Sequence, residues 1–318
     1  MVSMKDIARE LNLSRCTVSN ILNNKLDRYS YRQETIDMVR AKAEEMGYVV
    51  NNLAQSLKTG FANMIALVIP DISSTFYIKI IKEIERLTFE NNYGLLVCVT
   101  EESLDKERRM LETLKKRRVD GVIIAGVSYT ESVIDESAYK VVMFDRIIKD
   151  VQVPTVTVDD RKASYDLTRR ILDKGYRHPL FIATSSWDYT VQCRLRGFQD
   201  ALQEYGLTFR QSDVFYNCFN EFDSYELITK LQKEESDRFD SIVSTTNEIV
   251  FGIMKALGDS FSEIGYGGFY SFNGSSFMGE KILNVIPPPD MAEKAFTILM
   301  DRIKGETGYN AVLDVKIV

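Results

Sequence analysis

The chain has a single histidine, His178, and four widely separated cysteines, Cys16, Cys98, Cys193 and Cys218. One imidazole leaves zinc sites and Ser-His or Cys-His catalysis almost nothing to work with. No CxxC pair occurs, so the thiols read as reduced cytosolic cysteines, not as a disulfide frame or a metal site. A phosphate-binding GxxxxGK[ST] loop and a GxSxG nucleophile turn are also missing. The first eleven residues are amphipathic and charged, so no signal peptide is expected, and no apolar run approaches membrane-spanning length. Together these absences lead us to expect a cytoplasmic protein that is not an enzyme, with no cofactor, no metal and no membrane partner.

Positive charge is in short supply as well. The net charge of −6 argues against a protein coated in nucleic acid. The deficit is uneven, however. Residues 1–60 hold 9 Lys+Arg against 7 Asp+Glu, whereas the remainder holds 31 against 39. The amino end is thus the part suited to approach phosphates. The 318 residues, 45% of them hydrophobic, suffice for two or three packed units.

Residues 3–23 read as two short helices around a tight turn. Ser3 is placed to cap the first, with Asp6 three residues on as in a capping box. Ile7, Ala8 and Leu11 then share a face. Asn12 stands where the turn needs a left-handed residue, which Asn tolerates, and Ser14 is a second cap. Val18, Ile21 and Leu22 point inward in the second helix, leaving Arg15, Cys16, Thr17, Ser19 and Asn20 outside. Such an outer face suits a DNA major groove, although a plain amphipathic helix pair has the same pattern. A third helix is expected over 32–46, with Ile36, Val39, Ala43 and Met46 inward and Gly47 as C-cap. In residues 51–60, Leu53, Ala54 and Leu57 have helical spacing, but the segment is too short to be stable alone.

From Met64 onward, short apolar runs alternate with amphipathic segments. Strands are expected near 65–69, 95–99, 122–125, 141–144, 156–158, 180–183, 241–244, 263–266 and 312–318. Helices are expected at 76–91, 103–117, 161–174, 192–205, 248–257 and 291–302. Buried strands between such helices mean parallel, doubly wound sheets. Some 250 residues of this pattern is large for one core, so two lobes follow. Ligands in open α/β sheets sit beyond the carboxyl ends of the strands.

KDIARELNLSRCTVSNILNNK, then GY, NNLAQSLKTG and IALVIPDISSTFY, closely resemble the LacI/GalR (lactose repressor) family of bacterial transcription regulators. The resemblance runs along the whole chain in the family's order and spacing. It implies a small all-α helix-turn-helix domain (1–50), a hinge helix (51–60) and a two-lobed periplasmic-binding-protein-like α/β domain (61–318). Lobe 1 is expected over about 61–158 and 288–308, and lobe 2 over about 159–287 and 309–318. It also implies that paired hinge helices wedge a leucine, here Leu57, into the minor groove. Val50 stands where the family usually has proline. The residues expected at DNA are Ser3, Met4, Ser14, Arg15, Cys16, Thr17, Ser19, Asn20, Asn23, Asn51, Ala54, Leu57 and Lys58. Arg15, Cys16 and Asn20 would face base edges. Thr17, Ser19, Lys5 and Lys58 would face phosphates. Many members carry Arg where Asn20 stands.

For the cleft, the resemblance implies an effector held by Asp71, Phe76, Tyr77, Asp145, Arg194, Phe219 and Asn247. On the residues alone, a strand-end aspartate is equally a helix cap, and Arg194 equally a partner for a carboxylate. The family's G-[FY]-D-D is read at Gly265-Tyr266-Gly267-Gly268, without either carboxylate, so a typical sugar effector is not expected. The function expected is a repressor that binds a pseudo-palindromic operator in double-stranded DNA as a homodimer and answers to a small-molecule effector. Met110, Leu111 and Leu114, with Ile80, Ile81 and Ile84, are candidate dimer contacts. A periplasmic-type solute-binding protein without a DNA role is the alternative.

Overall fold

Ser3 opens the first helix through a reciprocal cap. Its hydroxyl accepts from the Asp6 amide at 3.4 Å, and the Asp6 carboxylate accepts from the Ser3 amide at 3.0 Å. Helix α1 (Met4–Glu10) ends before Asn12, whose φ of +51° makes the turn. Ser14 accepts from the Thr17 amide at 2.9 Å and starts α2 (Arg15–Leu22). Helix α3 (Gln33–Glu45) closes at Gly47, which takes a left-handed φ of +64°. Ile7, Ala8, Val18, Ile21, Ile36, Val39 and Ala43 form one small core among the three. This computed structural model describes residues 2–22, 29–48, 61–234, 238–246, 248–270 and 282–318. The expected site residues Asn23, Asn51, Ala54, Leu57, Lys58 and Asn247, with the whole 51–60 segment, lie outside the described residues. The chain separates into two units, Met1–Ala62 and Asn63–Val318.

The larger unit begins with β1 (Met64–Ile69), α4 (Thr75–Glu90), β2 (Gly94–Val99), α5 (Leu104–Arg117), β3 (Gly121–Ile124), β4 (Lys140–Phe144) and β5 (Thr155–Val158). It continues with α6 (Asp160–Asp173), β6 (Pro179–Ile182), α7 (Tyr189–Glu204), β7 (Val214–Phe215), α8 (Glu221–Glu234), β8 (Ser241–Ser244), α9 (Val250–Leu257), β9 (Gly265–Phe269) and β10 (Ile282–Ile286). It ends with α10 (Met291–Ile303), β11 (Ala311–Leu313) and β12 (Lys316–Ile317). Among the described residues two six-stranded sheets form, in the orders β11-β5-β4-β3-β1-β2 and β12-β10-β9-β8-β6-β7. All pairings are parallel except β10 with β12. The chain crosses between the lobes after β5, after β10 and between β11 and β12. Strands such as β1, β3 and β8 are buried almost end to end because helices cover both faces.

Three expectations are corrected here. The closing strand expected over 312–318 is two short strands, and Ala311–Leu313 pairs with β5 in the first lobe, not the second. The strand expected at 263–266 lies at Gly265–Phe269. Of the six candidate dimer contacts, Leu111, Leu114, Ile80 and Ile84 are buried in their own lobe's core, and only Met110 and Ile81 are half-buried. Exposed apolar groups on these elements include Ile78 and Phe89 of α4 and Val97 on the edge strand β2, 49%, 77% and 39% exposed.

Candidate functional site

Past β1 the chain turns through Asp71, whose carboxylate accepts from the Ser73 amide and hydroxyl at 2.8 and 2.7 Å. The first turn of α4 presents Phe76 and Tyr77, both buried. Asp145 follows β4 with a φ of +58°, and each of its carboxylate oxygens receives a tyrosine hydroxyl: Tyr77 at 2.7 Å and Tyr270 at 3.0 Å. Burial and the facing Asp145 charge push both phenols well above their usual range, so they stay protonated as donors.

From the second lobe, α7 places Arg194 in the same space, 5% exposed. Its Nε donates to Asp160 at 2.8 Å, one terminal nitrogen to the Thr245 carbonyl at 2.7 Å, and the other to the Tyr270 hydroxyl at 3.1 Å. The guanidinium also lies 3.8 Å from the centre of the Phe269 ring. Burial pushes the Asp160 carboxyl up to about 6, even though Arg194 pulls it down. Burial pulls Arg194 down too, but Asp160 and the neighbouring acidic groups outweigh it and the cation is secured. Of the two sequence readings of Arg194, pairing with a carboxylate is therefore realised, in a position that still lines the cleft.

Tyr270 joins the two sides. It follows β9 at a φ of +67°, a costly conformation for a large side chain and one that survives only where surroundings enforce it. Its ring stacks on Phe76 at 4.3 Å and 7°. Other contacts cross between the lobes. Arg146 holds Glu102 in a fork at 2.7 and 3.0 Å and reaches Asp188 at 3.4 Å. Glu248 accepts from the Thr75 amide at 3.3 Å, and Tyr129 stacks on Tyr189 at 4.1 Å. Between them lies a cavity of about 340 Å³, bordered by Asp71, Phe76, Tyr77, Asp145, Arg194 and Phe219 among others. The described members of the expected effector set thus gather round one space.

Sequence reasoning missed Tyr270, Arg146, Glu102 and Asp188. For Tyr270 the error was one of register. Ending the strand at Tyr266 put Gly267 and Gly268 in the cleft, whereas both lie within β9. Gly265 and Gly267 are there because a Cβ would strike Tyr176 in one case and Leu167 and Ile171 in the other. The Gly-Phe pair before the cleft is Gly268-Phe269, and Tyr270 follows it. Arg146 and Asp188 had a weaker signal, lying just after β4 and just before α7.

In the amino-terminal unit Arg15 and Cys16 are exposed, and so is Ser14. Thr17, Ser19 and Met4 are half-buried, and Ser3 is exposed. Asn20 departs from expectation. It is buried, and its amide donates to the Tyr31 hydroxyl at 2.9 Å, tying α2 to the segment before α3. It does not belong to the outer face.

The larger unit is a two-lobed fold with a ligand-sized cleft between parallel sheets, the architecture of periplasmic binding proteins. The family described as periplasmic binding proteins and sugar binding domain of LacI family matches residues 62–271. The transcriptional regulator RegA of Clostridium saccharobutylicum is 30% identical over 94% of this chain and 91% of its own length. Catabolite control protein A of Priestia megaterium is 26% identical over 99% of this chain and 96% of its own. The solved structure of a LacI family regulator from Silicibacter pomeroyi superposes with a TM-score of 0.82 at 24% identity, covering all of this chain and 98% of that one. The chain belongs to the LacI family of transcription regulators.

Proposed function

We propose that this regulator is a repressor that binds a pseudo-palindromic operator as a homodimer and is modulated by a small molecule in the interlobe cleft. In this reading α1, the Asn12 turn and α2 form a helix-turn-helix within residues 1–50. Arg15 and Cys16 reach base edges, while Ser14, Thr17 and Ser19 serve phosphates. Residues 51–60 act as hinge, with Leu57 as the minor-groove wedge, and 61–318 bind the effector and dimerise.

The observation that carries the reading is the cleft itself, where Asp145 and Phe76 of one lobe meet Arg194 and Tyr270 of the other around a single cavity. A molecule that contacts both lobes favours one of their arrangements over another, and the amino-terminal unit is the part that would respond. One reading helix covers only a half-site, so two-fold symmetry is required. Val97 on the half-buried edge strand β2 and the exposed Phe89 offer apolar surface suited to a partner copy. A solute-binding protein without a DNA role leaves the capped three-helix unit unexplained. The test is a gel shift with DNA from upstream of its own gene. A sequence-specific shift that Arg15→Ala abolishes is expected, and no shift with any upstream fragment would overturn the reading.

A further inference from the structure

The cleft is strongly unbalanced in charge. Its border includes six carboxylates, Asp71, Glu101, Glu102, Asp145, Asp188 and Glu248, against the two arginines Arg146 and Arg194. Neither arginine is available to an incoming anion. Arg194 is buried and committed to Asp160, the Thr245 carbonyl and Tyr270, with one face on Phe269. Arg146 is committed to Glu102 and Asp188. Glu101 has Lys106 at 2.8 Å. The hydrogen bonds of the other three carboxylates among the described residues come from neutral donors, and of the three Asp145 also feels the Arg194 charge. Asp71 takes Ser73, Asp145 takes two phenols, and Glu248 takes the Thr75 amide.

A neutral polyol also meets an altered site. The hydroxyl that bridges Asp145 and Arg194 is already there, on Tyr270, and the ring that faces Phe76 is the ring of Tyr270. What remains, among the described residues, is a cavity in which Asp71 and Glu248 have only neutral partners, Asp145 being linked to Arg194 through Tyr270, and which has exposed aromatic surface. Trp187 and Phe219 both border it, at 50% and 48% exposure. Carboxylates without a counter-charge in a partly dehydrated space attract a cation, and aromatic faces are its preferred apolar neighbours.

We infer that the cleft selects a small organic cation, an amine or quaternary ammonium compound, over neutral polyols and anions. The inference rests on the reading of the cleft as a ligand site but needs no DNA to test. Trp187 is the only tryptophan of the chain, so its emission reports on the cavity directly. The full chain is titrated at pH 7 with benzylamine, benzyl alcohol and benzoate, three probes of similar size that differ in charge. Benzylamine is expected to saturate the Trp187 signal at a concentration at least tenfold below benzyl alcohol, with no saturation by benzoate. Asp71→Asn and Glu248→Gln, made separately, are each expected to weaken benzylamine at least threefold and to leave benzyl alcohol unchanged. Equal or tighter binding of the alcohol or the benzoate, saturation by none of the three, or benzylamine binding indifferent to both substitutions overturns the proposal. If benzylamine binds as expected but no operator is bound, the ligand class stands and the regulatory reading fails.

Discussion

Asn20 and Tyr270 show how far a residue's place in the chain determines its task. Asn20 falls between Val18 and Ile21, both buried, and an eight-residue helix turns it far enough inward to meet Tyr31. Asn20→Ala is expected to leave that hydroxyl without its donor and to cost the amino-terminal unit about 1 kcal/mol. Chemical denaturation of the full chain followed by an amino-terminal probe checks this, and an unchanged midpoint would contradict it. Asp160 offers a test by pH. Its folded value of about 6 lies above the ordinary 3.8. Between these values the folded state holds a proton that the unfolded chain has released. The stability from this group is therefore full below about pH 4 and is lost as pH rises through about 6. A carboxyl-detected NMR titration should give a midpoint near 6, and one at or below 4 would show that Arg194 outweighs burial.

At the scale of elements, period and caps were legible. The Ser3 and Ser14 caps, the Asn12 turn and the Gly47 stop are local chemistry, and all four stand where the residues put them. The apolar runs gave most strands of both sheets to within a residue or two. What escaped notice depends on distant packing. Helix α8 carries a dense run of charges and buries only Ser224, Ile228 and Leu231, and Asn284 interrupts the apolar run of Ile282–Ile286. The register of β9 is set by neighbours that need glycine, so Tyr270 could not be placed in the cleft from sequence. Close approach of elements also makes a prediction. A Cβ on Gly197 of α7 would stand 2.0 Å from the Arg161 carbonyl of α6. Because backbone must move, Gly197→Ala should cost near the upper end of the roughly 1–3 kcal/mol typical of overpacking. An unchanged melting temperature would mean that the two helices separate freely.

At the scale of the whole molecule, the family, the two-lobed fold and six residues that border the cleft were readable, because strand ends and a few spaced motifs mark them. The surface proposed for a partner copy was not. Most residues of the amphipathic stripes expected to face a second copy, Ile80, Ile84, Leu111 and Leu114, lie in the core of the first lobe, and the exposed apolar groups emerge only once that core is packed. Val97→Glu places a charge on the edge strand β2 and is expected to raise the dimer dissociation constant at least tenfold without unfolding the lobe. Sedimentation at micromolar concentration decides, and an unaltered assembly would place the interface elsewhere. The most direct measurement is a binding-site selection from random duplex DNA with the full chain at physiological salt. The enriched sites should be pseudo-palindromes with two half-sites about one helical turn apart, and Arg15→Ala should relax one base position in each half. Enrichment of no sequence, or of a lone half-site unaffected by Arg15→Ala, would contradict operator reading by a symmetric pair of these helices.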